Sequence, residues 1–510
     1  MSDYDLLEEF NIYSSKKTNS VNYKIPFTED DFVKDPEPDK KPNDYFYNPY
    51  KTNFYSNRFY EADRNEVNIS RYGWAKRINV GVFEYGDKNR YLMNPNDSKY
   101  FFTDEENDEI DSIVLLENVD YKDKSRFSDH ANLVGSIIGG KGGVNLFTRI
   151  YSHGFTDDKT EIKSIEKLIL DHNCKIINMS YGKNYEKLFF LNKFDNMKKY
   201  NENAKQFDDL ARANPEVLFV FAAGNSGDFQ NENWKTMVGR KLAWNTIVVG
   251  SNDKNGNRST FSSFGNYDNL KKITVLANGE DYIDPDKDGT SYSAPFISGV
   301  LSYTLQKYEN KYNLGKNNLI ALATLSASTY SNNKTENEYL SKNGAGTFDY
   351  SKLKSAFDSL KYYKLTDSLL PYSDKKYQLM NIDQEITLET IDAQKGEFIR
   401  GAIAWEAKEF VAWENRTYLI FSKKTVKERK PYIKNFDLVL KDERNNVIAK
   451  SSADNQNIEF IKYKVEKDGK YKWVLKRNSD YGFENYKNEI SSSSYYSKSE
   501  IAFAHTKGKD

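Results

Sequence analysis

Four short apolar runs frame the middle of the chain: INVGVF (78–83), KIINMS (175–180), VLFVFAAG (217–224) and NTIVVGS (245–251). None alternates apolar with polar residues, so each reads as a strand covered on both faces. Helical periodicity separates them. TEIKSIEKLILD (160–171) puts Ile162, Ile165, Leu168 and Ile169 on one face, and ENAKQFDDLARA (202–213) gives a second amphipathic helix. Strand–helix–strand alternation predicts an α/β domain over residues 66–362, built on a parallel sheet with crossover helices.

Beyond residue 370 the period drops to two. IKYKVEKDGKYKWVLK (461–476) sets Ile461, Tyr463 and Val465 on one face, turns at Asp468-Gly469 and resumes with Trp473 and Leu475, which predicts a hairpin. FDLVLKDERNNVIAK (436–450) predicts another, and GEFIRGAIAWE with RTYLIFS a third. Residues 370–510 are thus expected to form an antiparallel β-sandwich of jelly-roll type. Residues 1–65 carry five of the chain's 11 prolines before position 50, and DPEPDKKPND fits neither a helix nor a central strand. This segment reads as a docking arm or a linker.

Composition narrows the function. Basic and acidic residues number 74 and 75, a net charge of −1, which gives no footprint for nucleic acid or an anionic membrane. Aromatics at 15% are too many for a disordered chain. The single cysteine, Cys174, rules out an intramolecular disulfide framework. MSDYDLLEEFN has no basic start followed by an apolar stretch, so no signal segment is read there, and no apolar run is long enough to span a bilayer.

Candidate chemistry centres on GTSYSAP (289–295). Ala294, Ile297, Val300 and Leu301 follow at helical spacing, so Ser291 lies at a helix N-terminus, where backbone amides favour developing negative charge. Such a serine is either an N-cap or a nucleophile. A nucleophile needs a base, and the chain has four histidines. His153 follows a strand, His172 closes a helix and His505 lies in the C-terminal tail. His130, in SDHANLVGSIIGG, opens a glycine-rich helix able to pack closely beneath a site. FVFAAGNSG (219–227) ends a buried strand with Asn225 in a tight loop, either a turn former or an oxyanion donor.

Taken together and in order, these segments resemble the subtilisin-like serine proteases, the subtilases. VGVFEYG (80–86) is similar to the family's acid strand and DHANLVGSIIGG to its histidine helix. INMSYG (177–182) and FAAGNSG are similar to the two segments flanking the S1 pocket. TIVVGSNDKNGNRSTFSSFG (246–265) is similar to the strand and hairpin that follow, GTSYSAPFISGV to the nucleophile motif, and GAGTFDYSKLKSA (344–356) to the closing helix. The resemblance implies a three-layer α/β sandwich and peptide-bond hydrolysis through an acyl-enzyme. Ser291 would be the nucleophile, His130 the base, and Asn225 an oxyanion donor beside the Ser291 amide. Ser180, Tyr181, Gly182, Ala222, Ala223 and Gly224 would line the substrate site. No cofactor is expected. DPDKDG (284–289) starts like a calcium loop, but its twelfth position is Pro295 where a glutamate belongs.

Two departures matter. The family's acid is an aspartate, whereas this chain has Glu84 at that position, with Asp87 and Asp129 as rivals. The residue after the histidine is Ala131 rather than glycine, a mild change in a helix. Glu84, HANLVGSIIGG and the C-terminal strands together also resemble a narrower group, the mycoplasma immunoglobulin proteases. That resemblance implies a secreted or cell-surface enzyme cleaving the heavy chain of immunoglobulin G together with an immunoglobulin-binding protein. The alternative is a subtilase-fold binding protein that has lost turnover.

Overall fold

The computed structural model describes residues 77–509 apart from 87–89, 98, 102–111, 116–123, 141–142, 146–147, 157, 183–196, 232–233, 266–272, 281–286, 331–341, 367–377, 419–420, 454–455 and 479–497. Asp87, the arm over residues 1–65 and the start of the calcium-like stretch lie outside the described residues.

The four apolar runs become neighbouring strands of one sheet. In chain order its strands are β1 (Ile78–Tyr85), β2 (Ser112–Leu115), β3 (Thr148–Phe155), β4 (Ile176–Met179), β5 (Leu218–Ala222), β6 (Ile247–Asn252), β7 (Val275–Asn278), β8 (Thr329–Tyr330) and β9 (Thr347–Phe348). The spatial order is β2-β3-β1-β4-β5-β6-β7-β9-β8. Every pairing is parallel except the last, β8 with β9. Two apolar clusters fill its two sides: Val80, Val82, Ile176, Val220 and Val249 on one, Phe83, Ile177, Phe219, Phe221 and Val248 on the other. Burial on both faces explains why the strands read as continuous apolar runs.

Helices α1 (Asp129–Gly139), α2 (Asp158–Leu170) and α3 (Glu202–Ala213) follow the predicted patterns. Ser128 caps α1 by accepting from the Ala131 amide, and Asn201 caps α3 by accepting from that of Ala204. Helix α4 (Thr290–Lys307) is buried around its whole circumference from Tyr292 to Leu305, as its uniformly apolar and small composition requires. It packs on α1, and a Cβ on Gly299 would lie 2.6 Å from the Val144 Cβ, so the close approach depends on glycine.

The C-terminal strands form separate sheets. β10 (Lys361–Thr366), β11 (Gln378–Leu379), β13 (Phe398–Trp405), β18 (Ile458–Lys464) and β20 (Lys498–Gly508) make one, in the order β11-β10-β20-β13-β18. β12 (Glu385–Ala393), β16 (Phe436–Lys441), β17 (Val447–Ser451) and β19 (Gly469–Arg477) make a second, in the order β12-β19-β16-β17. β14 (Lys408–Tyr418) and β15 (Phe421–Tyr432) pair as an isolated ribbon. All pairings are antiparallel except β10 with β11. Trp473 and Phe503, one from each sheet, meet with ring centroids 6.2 Å apart in a shared core. The far face of the five-stranded sheet contributes Ala402, Ala404, Ala502 and Ala504 to the same cluster as α4 and a further helix, α5 (Asn317–Ala327).

Two of the predicted hairpins are corrected. β18 pairs with β13 and β19 with β12 and β16, so Asp468-Gly469 carries the chain from one sheet to the other. Ile461 and Val465 before the turn and Tyr471, Trp473 and Leu475 after it enter the same core from opposite sides. An alternating pattern fixes which face is buried but not which strand lies alongside. GEFIRGAIAWE forms β13, which pairs with β18 and β20, while RTYLIFS lies at the tip of the β14–β15 ribbon. The β16–β17 hairpin forms as expected.

Candidate active site

β1, β4 and β5 are adjacent in the sheet, and their carboxyl ends carry Glu84, Ser180 and the loop Ala223-Gly224-Asn225. The first turns of α1 and α4 supply His130 and Ser291. A cleft at the carboxyl edge of parallel strands, faced by helix N-termini, is where open α/β sheets bind ligands.

Glu84 is buried, and its Oε2 lies 3.1 Å from His130 Nδ1. The other carboxylate oxygen, Oε1, is buried with no hydrogen-bond partner among the described residues, so the histidine is the group this carboxylate serves. Burial acts to lower the His130 pKa, but the charge of Glu84 and its hydrogen bond outweigh burial, and the net shift is upward; Lys287 opposes it. His130 remains about one-third exposed at the cleft. Of the rival acids, Asp129 is exposed in the first turn of α1, where it suits the helix dipole, and Asp87 lies outside the described residues.

Ser291 is not an N-cap. Gly289 holds that position and Ser291 is the second residue of α4. Its Oγ donates to the Ser180 carbonyl at 2.8 Å. The His130 ring lies 6.2 Å, centroid to centroid, from that of Tyr292, the residue after the serine.

Asn225 is locked by its neighbour across the cleft. Its Oδ1 accepts from the Thr290 amide at 2.9 Å and from the Thr290 hydroxyl at 2.8 Å, while that hydroxyl accepts from the Gly224 amide at 3.0 Å. With Oδ1 occupied, Nδ2 must point the other way. Neither Nδ2 nor the Ser291 amide finds an acceptor among the described residues. Both flank one space: a Cβ on Gly289 would sit 3.2 Å from Nδ2 and 3.7 Å from the Ser291 nitrogen. Gly289 is thus needed for room, because its φ of 166° is extended backbone open to any residue. Two free, rigidly held donors beside a serine hydroxyl are what an oxyanion requires.

Of the residues predicted to line the substrate site, Ser180, Tyr181, Ala222 and Ala223 have buried side chains. Ser180 is buried and its hydroxyl accepts from Asn178, which in turn accepts from Ser298 of α4. Tyr181 turns inward: its ring packs edge-on to Phe83 and Phe155, and its hydroxyl donates to Glu161 at 2.5 Å. Glu161 is also ion-paired with the buried Arg240. Ala222 and Ala223 are buried in the core on opposite sides of the sheet, whereas Gly182 is exposed and Gly224 half-buried, with φ of 112° at the latter. His153 is within β3, His172 follows α2 and His505 is within β20. Sequence reasoning missed the lock that Thr290 places on Asn225, and it missed Arg240 and Lys241. Two cations inside the apolar stretch MVGRKLAW were the signal for the pair. Among the described residues no group of three or more His, Cys, Asp or Glu could hold a metal ion, and no helix is long and apolar enough to cross a membrane.

Comparison with known proteins finds relatives of this chain. Subtilisin DY of Bacillus licheniformis is 31% identical over 112 residues, 20% of this chain and 38% of that protein, so the match spans well under half of the relative's length. Among solved structures, the patellamide maturation protease PatA is similar at 20% identity, with 53% of this chain and 93% of that chain covered and a TM-score of 0.39. A cold-adapted subtilisin-like serine proteinase is similar at 19% identity, with 54% and 88% covered and a TM-score of 0.35. The sequence profile of the subtilase family matches residues 37–346, more than half of the chain. With that match and the site it spans, the chain belongs to the subtilase family of serine peptidases.

Proposed function

We propose that the chain is a serine endopeptidase working through an acyl-enzyme on Ser291. The observation that carries this reading is the buried Glu84 on His130 Nδ1, together with two donors, Asn225 Nδ2 and the Ser291 amide, that flank one space at Gly289. With Nδ1–H held by Glu84, the neutral imidazole presents Nε2 as the base. The resting Ser291 hydroxyl gives up its bond to the Ser180 carbonyl and turns toward that base as it attacks. The Asn225 Nδ2 and the Ser291 amide receive the oxyanion, and His130 then protonates the leaving amine. The proposal is tested by fluorogenic peptide hydrolysis and by fluorophosphonate labelling of the wild type and Ser291→Ala. A folded wild type that does neither would favour a binding protein on this fold.

For substrate, we propose immunoglobulin G heavy chain, cleaved at the cell surface or after secretion with an immunoglobulin-binding protein as partner. Support comes from the sequence resemblance alone: a glutamate in the acid position, HANLVGSIIGG and strands following the peptidase region. The test is incubation of intact immunoglobulin G with the chain, with and without such a partner. Heavy-chain fragments absent from the Ser291→Ala control are expected. Intact antibody under both conditions, from a protein that cleaves peptides, would overturn this substrate and leave the peptidase reading standing.

A further inference from the structure

Lys241 places a primary amine against the ends of β4 and β5. It lies in a short 3-10 turn, Gly239–Leu242, and is 4% exposed. Its Nζ donates to the Ala223 carbonyl at 3.2 Å, which occupies one of three N–H bonds. A Cβ on Gly224 would lie 3.2 Å from Nζ, and one on Gly182 would lie 3.6 Å away. The ammonium therefore sits where the ends of β4 and β5 face each other, and both walls there are glycine. No carboxylate among the described residues lies within ion-pair distance of it. Glu161 is engaged by Arg240, the residue before Lys241, and by Tyr181. Burial first, then repulsion from Arg240, lowers the Lys241 pKa to about 7, the expected consequence of a missing counter-charge.

The same two strand ends hold the catalytic groups. Ser180, two residues before Gly182, accepts from the Ser291 hydroxyl, and the Gly224 amide donates to Thr290 beside the nucleophile. A substrate residue whose carbonyl lay against Ser291 would meet Nζ if its side chain entered between these two strand ends. A buried ammonium with two unused donors and no counter-ion is costly to leave so, and an incoming carboxylate supplies what it lacks.

We propose that Lys241 is a specificity-determining residue that selects an acidic side chain, glutamate first, at the residue on the acyl side of the scissile bond. The proposal rests on the endopeptidase reading for its place in a reaction, but the pocket's charge preference can be read without turnover.

The test uses fluorogenic peptides identical except for Glu, Gln, Leu or Gly on the acyl side of the cleaved bond, with the ratio of kcat/KM for Glu over Gln read within each protein. A charge-assisted hydrogen bond predicts a ratio of about 10 to 100 in the wild type. Lys241→Met should bring it to about 1 and Lys241→Arg, which keeps the charge, should retain most of it. A ratio within one protein is insensitive to an overall loss of rate. In parallel, Ser291→Ala is titrated with a labelled peptide ending in Glu or in Gln, followed by fluorescence anisotropy, alone and with Lys241→Met added. Tighter binding of the Glu peptide that vanishes with Lys241→Met supports the pocket even if the wild type hydrolyses nothing, in which case it is the endopeptidase reading that fails. Equal treatment of Glu and Gln in both assays, a Glu preference surviving Lys241→Met, or selection of glycine with rejection of Glu would each overturn the proposal. The last result would mean that Lys241 plugs the pocket.

Discussion

Thr290 holds Asn225 by two hydrogen bonds to one oxygen, from its amide at 2.9 Å and its hydroxyl at 2.8 Å. The amide bond fixes which end of the carboxamide faces α4, and the hydroxyl ties the whole to the Gly224 amide. The donor end of Asn225 is oriented before any substrate arrives. Preorganisation of this kind lowers the barrier because nothing has to reorganise as charge develops.

Removing the donor and removing its lock should therefore differ in size. Asn225→Ala is expected to lower kcat by about 10²- to 10³-fold with little change in KM. Thr290→Val keeps the shape but loses the hydroxyl, and is expected to lower kcat by about tenfold, the worth of one modest hydrogen bond. The double variant should be scarcely worse than Asn225→Ala alone, since the hydroxyl acts through the asparagine. Steady-state kinetics on one peptide substrate checks all three.

Glu84 should set both the rate and its pH dependence. The proposed mechanism needs neutral His130, whose pKa is raised because Glu84 outweighs the opposing burial. The acidic limb of the kcat/KM profile is thus expected above the ordinary histidine value of about 6.5, with activity lost as pH falls through it. Glu84→Gln removes the raising influence and leaves burial and Lys287, so the limb should move to lower pH. The plateau should fall by about 10³- to 10⁴-fold, since the tautomer is no longer enforced. A limb that stays in place would move the acid's role away from Glu84.

The wall behind the cleft rests on a buried ionic cluster. Glu161 binds both Arg240 and the Tyr181 hydroxyl, and Arg240 stacks over the Tyr181 ring at 5.3 Å. Glu161→Gln would remove the carboxylate paired with the buried Arg240 charge, and should destabilise the fold by about 3 kcal/mol. Urea unfolding followed by tryptophan fluorescence, with the midpoint compared at equal slope, measures it.

The catalytic edge of the fold was legible because parallel strands buried on both faces leave apolar runs that little else produces. The four runs at 78–83, 175–180, 217–224 and 245–251 all became neighbouring strands, and ENAKQFDDLARA matches α3 over its full length. Strand partnership in the C-terminal sheets was not legible, since Ile461 and Trp473 announce a buried face without saying which sheet they enter from. In the site, the Glu84–His130 contact followed from motif order, whereas the Thr290 lock and the position of Lys241 depend on contacts between β5, α4 and the Gly239–Leu242 turn. Residues so far apart in sequence leave no periodic trace of their meeting.

The most direct test of the central claim is fluorophosphonate labelling of the purified chain, followed by mapping of the modified residue. The structure predicts stoichiometric modification of Ser291 in the wild type, none in Ser291→Ala, and strongly slowed modification in His130→Ala. A folded wild type left unmodified, or modified at another serine, would contradict the assignment of Ser291, His130 and Glu84 as a working catalytic set.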